Sequence, residues 1–270
     1  MHYLRVTDAG ASVAYLDVGD ATGPVAVFLG GLGSAGTVAF ASVVADPRIA
    51  GEGRHLLVDL IGSGWSDHDD EFSHTIDGHA RTVGAALDSL RLRQVAVVGH
   101  SLGGSVAISL AAQRPDLVSR LVVAEPNLDP GVGTFSAQIA AQSEDEFVER
   151  GHASYVIDQL RSADHGDVVA AQFARTVRRW SSRGLHRTAV SLLAERPVTF
   201  RAQLTAFGGP REYISGALSN EDLASLGEAG CHIRVVAAAG HVLMLDNPHG
   251  FAIAVAEALG ARPGQRLCPG

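Results

Sequence analysis

An α/β fold with a mostly parallel, eight-stranded sheet is predicted by three features of this 270-residue chain. Short β-branched or alternating apolar runs recur along it with helical stretches between them, the order that covers a parallel sheet with helices on both faces. One of these runs, Val95 to Val98, stops at Gly99 and passes through Ser101 directly into an Ala/Leu-rich helical stretch. From 128 to 207 the alternation ceases, and apolar positions recur at helical spacing instead.

In chain order, strands are expected at 3–7, 12–17, 25–29, 55–58, 94–98, 120–124, 212–215 and 232–236. Only a short turn joins the first two, which implies an antiparallel edge. Helices are expected near 75–90, 101–114, 221–229 and 248–259, and no internal repeat is visible. Between 128 and 207, residues such as Ile139, Phe147, Leu160, Phe173, Val177 and Trp180 carry the helical period. Inserted after the sixth strand, this segment reads as a helical cap over the strand ends, since a structureless loop of that length is rare. The expected division is therefore a core of 1–127 and 208–262, a cap of 128–207 and a flexible tail of 263–270. The arginines of the cap's second half, Arg175, Arg178, Arg179, Arg183, Arg187, Arg196 and Arg201, read as a solvated helix face in preference to a steering field for an anionic substrate.

Composition narrows the function. With 46% apolar residues the chain can bury a sizeable core, either as one domain or as one domain with an insertion. No apolar run reaches the roughly 20 residues of a membrane helix. The start, Met1 to Val6, lacks a signal peptide's apolar stretch and reads as strand. Cys231 and Cys268 do not form a disulfide framework, and a cytoplasmic setting is expected. A net charge of −8 argues against a nucleic-acid partner. Every cationic side chain is arginine. The absence of lysine rules out a lysine Schiff base, pyridoxal phosphate anchored that way and a Walker lysine. No cofactor and no metal are expected; the polar loop holding His68 and His74 beside Asp67, Asp69, Asp70 and Glu71 is a weak metal candidate.

The order strand, sharp turn, helix around Gly99-His100-Ser101-Leu102-Gly103 is that of a nucleophile elbow. The turn strains the serine backbone, so its flanks must lack side chains or strand and helix collide. It lifts the hydroxyl clear of the sheet beside the N–H of Leu102, at the positive end of a helix where negative charge can develop. His100 adjoins the serine in sequence, but its side chain is expected to point away.

Three further segments accompany the elbow: Phe28-Leu29-Gly30-Gly31-Leu32-Gly33, Asp59-Leu60-Ile61-Gly62-Ser63-Gly64-Trp65-Ser66-Asp67, and Gly240-His241-Val242-Leu243-Met244-Leu245-Asp246-Asn247-Pro248. In order and separation the four resemble the α/β-hydrolase family along nearly the whole chain, with Gly30 standing where a histidine is usual. The resemblance implies the α/β-hydrolase fold with a cap after strand 6. It also implies Ser101 as nucleophile, His241 as general base and acid, and an oxyanion hole of the Leu32 and Leu102 N–H groups. Gly31 would let its loop approach the substrate, and Trp65 would either line the pocket or pack on the core.

The third triad member departs from the commonest family pattern. Where an acid is usual after the seventh strand, the chain reads Gly216-Ala217-Leu218-Ser219, with Glu221 and Asp222 a few residues late. Those two look like first-turn helix acids, with Asn220 or Ser219 as N-cap. Some family members, certain lactone hydrolases among them, carry the acid at the end of the sixth strand, and Glu125 stands there. A carboxylate after so apolar a run needs a partner, and the Nδ1–H of His241 would supply one. Glu125 is preferred, with Asp222 or Glu221 as alternatives.

Hydrolysis of a small-molecule carboxylic ester or lactone through an acyl-serine is the leading expectation. C–C bond hydrolysis, thioester hydrolysis and cofactor-free perhydrolysis use the same triad and stay open, as does a non-catalytic ligand-binding relative. Relatives that open C–halogen or epoxide bonds use an aspartate nucleophile, which Ser101 argues against. No membrane partner is expected, and homo-oligomerisation stays open.

Overall fold

The computed structural model describes residues 1–260. The tail expected at 263–270, the last two residues of the expected core and Cys268 lie outside the described residues. Eight strands form one sheet: β1 (His2–Arg5), β2 (Ser12–Gly19), β3 (Val25–Leu29), β4 (Arg54–Val58), β5 (Val95–His100), β6 (Val118–Ala124), β7 (Arg211–Gly216) and β8 (His232–Val236). Their spatial order is β1-β2-β4-β3-β5-β6-β7-β8. β2 runs antiparallel to both β1 and β4, and the six strands from β4 to β8 in that order are mutually parallel.

The central strands read as continuous apolar runs because both faces are covered. Val27, Leu29, Val97, Leu121 and Val123 face one core, and Phe28, Val98, Val122 and Ile214 face another. On the first side pack α1 (Ile76–Ser89) and α2 (Leu102–Gln113). Thr75 caps α1 by accepting the Gly78 N–H. Between β6 and β7 run α3 (Thr134–Ala140), α4 (His152–Asp164), α5 (Val168–Val177), α6 (Ser182–Leu193) and α7 (Phe200–Ala206). After β7 comes α8 (Leu223–Glu228), and α9 (Pro248–Leu259) covers the second core. No helix among the described residues is long and apolar enough to cross a membrane.

The inserted helices are tied to the loops beneath them. Trp180 Nε1–H donates to the Ser34 carbonyl at 2.7 Å, and the Ser181 N–H to Gly62 at 2.8 Å. Of the seven arginines in the second half of this insertion, four find carboxylates: Arg183 and Arg187 meet Glu144, Arg196 meets Asp77 and Arg201 meets Asp129. The expected N-cap of α8 is corrected: Asp222 itself caps it, accepting the Ser225 N–H at 3.1 Å.

Candidate active site

Ser101 sits between β5 and α2 with φ 52° and ψ −123°, a strained conformation for a residue with a side chain. Its crowded flanks explain the glycines. A Cβ on Gly99 would lie 2.3 Å from the Gly103 carbonyl oxygen, and one on Gly103 would lie 2.2 Å from that of Leu29. Leu102 opens α2, so its N–H has no acceptor within the helix. The loop after β3 brings Gly31 against the serine: a Cβ there would stand 3.3 Å from Ser101 Cβ.

His241 lies in the loop after β8. Its Nε2 is 3.1 Å from Ser101 Oγ and its Nδ1 is 3.0 Å from Glu125 Oε2. The loop is held at Gly240, whose N–H donates to Asp246 Oδ2 at 2.9 Å. Glu125 follows β6 with φ 45°, so the strand end turns sharply there. Its Oε1 accepts the Gly216 N–H at 2.8 Å and faces Ser215 Oγ at 3.3 Å. Burial pushes this carboxyl up, but the hydrogen bonds from His241 and the Gly216 N–H, with the Ser219 hydroxyl nearby, outweigh it and hold the group down at about 2. Asp222 is spent on its helix cap. Of the two late acids, Glu221 alone reaches the cavity wall.

Two histidines lie elsewhere than expected. His100 does not turn away from the site: it is buried, lines the cavity and donates its Nε2–H to the His241 carbonyl at 2.7 Å. Burial and the neighbouring His241 push its pKa down to about 3, so it stays neutral and braces the loop carrying His241. His74, read as part of an exposed loop, is fully buried, with Nε2 2.9 Å from the Asp69 carbonyl oxygen. Among the described residues no cluster of three or more His, Cys, Asp or Glu could hold a metal.

Ser101, His241, Glu125, Gly31 and Leu32 line one cavity of about 590 Å³. Its roof is aromatic and comes from the inserted helices: Phe135 is 4.7 Å from Tyr155 and 5.0 Å from Phe173, centroid to centroid. Leu192, Val242 and Met244 add apolar surface. Trp65 is not in this cavity, which corrects the expectation for it. Its N–H donates to buried Asp59 and the Arg179 guanidinium covers its ring at 4.6 Å, in a separate hollow with Arg175 and Arg178.

Ser215, Ser219 and His100 are the supporting residues that sequence reasoning missed. A serine standing where the usual acid is absent was the available signal for Ser219, because a relocated carboxylate needs donors.

A model of the alpha/beta hydrolase family matches residues 21–255. An sn-1-specific diacylglycerol lipase of Mus musculus, ABHD11, is 31% identical over 258 residues, spanning 89% of this chain and 82% of its own. A thermophilic esterase from Thermogutta terrifontis superposes with a TM-score of 0.80 at 18% identity, covering 96% of this chain and 98% of its own. The enol-lactonase from Burkholderia xenovorans LB400 gives 0.79 at 19% identity, over 96% and 99%. At such identities these two structures speak for the fold alone. The family match spans most of the chain, and the protein belongs to the α/β-hydrolase family.

Proposed function

We propose that the protein is a serine hydrolase that cleaves a small-molecule carboxylic ester or lactone through an acyl-serine intermediate. One observation carries this reading: Ser101 Oγ, the His241 ring and the Glu125 carboxylate form a continuous chain at 3.1 and 3.0 Å within a largely apolar cavity. A serine hydroxyl needs such a base to attack a carbonyl at neutral pH.

Glu125, held ionised, accepts the Nδ1–H of His241 and so leaves Nε2 bare toward the serine. Nε2 takes the hydroxyl proton as Oγ attacks. Charge then develops on the carbonyl oxygen, where the N–H groups of Leu102 and Leu32 receive it; losing one such donor costs about 3–4 kcal/mol of transition-state stabilisation. His241 returns the proton to the leaving alkoxide, which departs from an ester or stays tethered to the acyl group of a lactone. Water, activated by the same imidazole, then releases the acid. The aromatic roof suits an apolar acyl chain, and the kinship with a diacylglycerol lipase supports an ester bond.

The test is a panel of short-chain para-nitrophenyl esters and five- and six-membered lactones with wild type and Ser101→Ala. Turnover of at least one class by wild type and none by the variant is expected. Undiminished turnover by Ser101→Ala, or wild-type silence on the panel beside cleavage of thioesters or C–C bonds, would overturn it.

A further inference from the structure

Glu221 is the charged group of the cavity wall that the chemistry above leaves unused. It follows β7 and is half-buried. Among the described residues its carboxylate has neither a hydrogen-bond partner nor an ion pair within reach. The nearby Arg201 is turned to Asp129, with Nε and Nη2 at 2.9 and 2.7 Å from Oδ2. Among the described residues no arginine lines the cavity; Arg175, Arg178 and Arg179 line the neighbouring hollow instead. The other carboxylate on the wall, Glu125, is engaged by His241 and Gly216. Tyr213, whose field includes both glutamates, is fully buried with its hydroxyl unpartnered, so no donor from that side compensates Glu221.

An apolar cavity with a carboxylate in its wall that no hydrogen bond or close ion pair satisfies treats substrates unequally. A neutral acyl chain meets aromatic surface. An acyl chain ending in its own carboxylate must desolvate that charge and approach a like charge, with no cation to receive it. Resting on the ester-hydrolase reading, we infer that Glu221 is a specificity-determining residue that restricts the enzyme to esters with uncharged acyl groups and rejects monoesters of dicarboxylic acids. Burial holds the Glu221 carboxyl above its ordinary value, with Arg201 opposing that only in part. The group therefore reports the low polarity of the wall as well as its charge.

The experiment compares kcat/KM for para-nitrophenyl valerate with that for mono-para-nitrophenyl succinate, near-isosteres that differ by one carboxylate. Wild type should favour the valerate. Glu221→Gln should lower that preference about tenfold, chiefly by raising the succinate value, the scale of a like-charge interaction several ångströms apart in a half-buried site. Glu221→Asp should keep most of the preference, and Glu228→Gln, an exposed acid on α8, should leave it unchanged. A Glu221→Gln ratio within twofold of wild type, an equal loss in Glu228→Gln, or an equal loss in Glu221→Asp would each overturn the inference. Absence of valerate turnover in wild type would instead overturn the ester reading, and the inference with it.

Discussion

Glu125 Oε2 meets His241 Nδ1 at 3.0 Å across 116 positions of sequence, from the end of β6 rather than from the loop after β7. Two adjacent parallel strands make the exchange workable. β6 pairs with β7 through Ala124 and Ile214, so a side chain leaving β6 at Glu125 lies beside Ser215 and Gly216 and can use their donors.

Replacing Glu125 with alanine should therefore lower kcat by orders of magnitude; about 10⁴-fold is the scale set by losing the acid in a serine protease. Asp222→Ala should leave kcat near wild type and lower stability by about 0.5–2 kcal/mol, the worth of a helix N-cap. Steady-state kinetics and urea midpoints of both variants check this. A kcat loss in Asp222→Ala as large as in Glu125→Ala would contradict it.

Stability should fall in mild acid because of buried histidines. His79 and His100 are both held at about 3 when folded, chiefly by burial, against an ordinary 6.5. The unfolded chain takes up protons below 6.5 and the folded chain does not, so stability is lost as the pH drops from about 6.5 toward 3. Between pH 7 and 4.5 each such group contributes roughly 2–3 kcal/mol of that loss. His79 meets Thr188 Oγ1 at 3.1 Å and among the described residues has no partner at Nδ1. Urea melts of His79→Leu should show a smaller difference between the two pH values than wild type; an equal difference would contradict the assignment.

The elbow should tolerate no side chain at Gly99. A methyl there would lie 2.3 Å from the Gly103 carbonyl oxygen, a backbone atom that cannot rotate aside. Gly99→Ala should cost at least the ~1–3 kcal/mol typical of overpacking and displace Ser101. Gly51→Ala, with nothing within 4 Å, is the control and should stay near wild type in melting temperature and turnover.

The sheet was legible because its strands are β-branched runs punctuated by glycine. The expected strands at 25–29 and 232–236 and helix at 248–259 coincide with Val25–Leu29, His232–Val236 and Pro248–Leu259, and the other strand bounds differ by at most two residues. The short helical turns between Gly36 and Ala50 were not, since Gly/Ala-rich stretches of four residues carry no period. His74 was hidden by the acids before it: composition marks 67–71 as solvated but does not show the chain turning inward three residues later. At the site, the elbow and the Gly-His segment carry local geometry and so could be read. Trp65 and Glu221 could not, because which cavity a side chain enters depends for Trp65 on Arg179, distant in sequence, and for Glu221 on the path of the turn after β7.

The central claim is that Ser101 is the nucleophile, and covalent capture tests it most directly. Wild-type protein is incubated with a fluorophosphonate probe, and the modified residue is located by peptide mass spectrometry. A single phosphonyl adduct on Ser101, absent in Ser101→Ala and greatly slowed in Glu125→Ala, is expected from the chain of contacts through His241. No adduct at Ser101 in the folded wild-type protein, or equal labelling in Ser101→Ala, would contradict it.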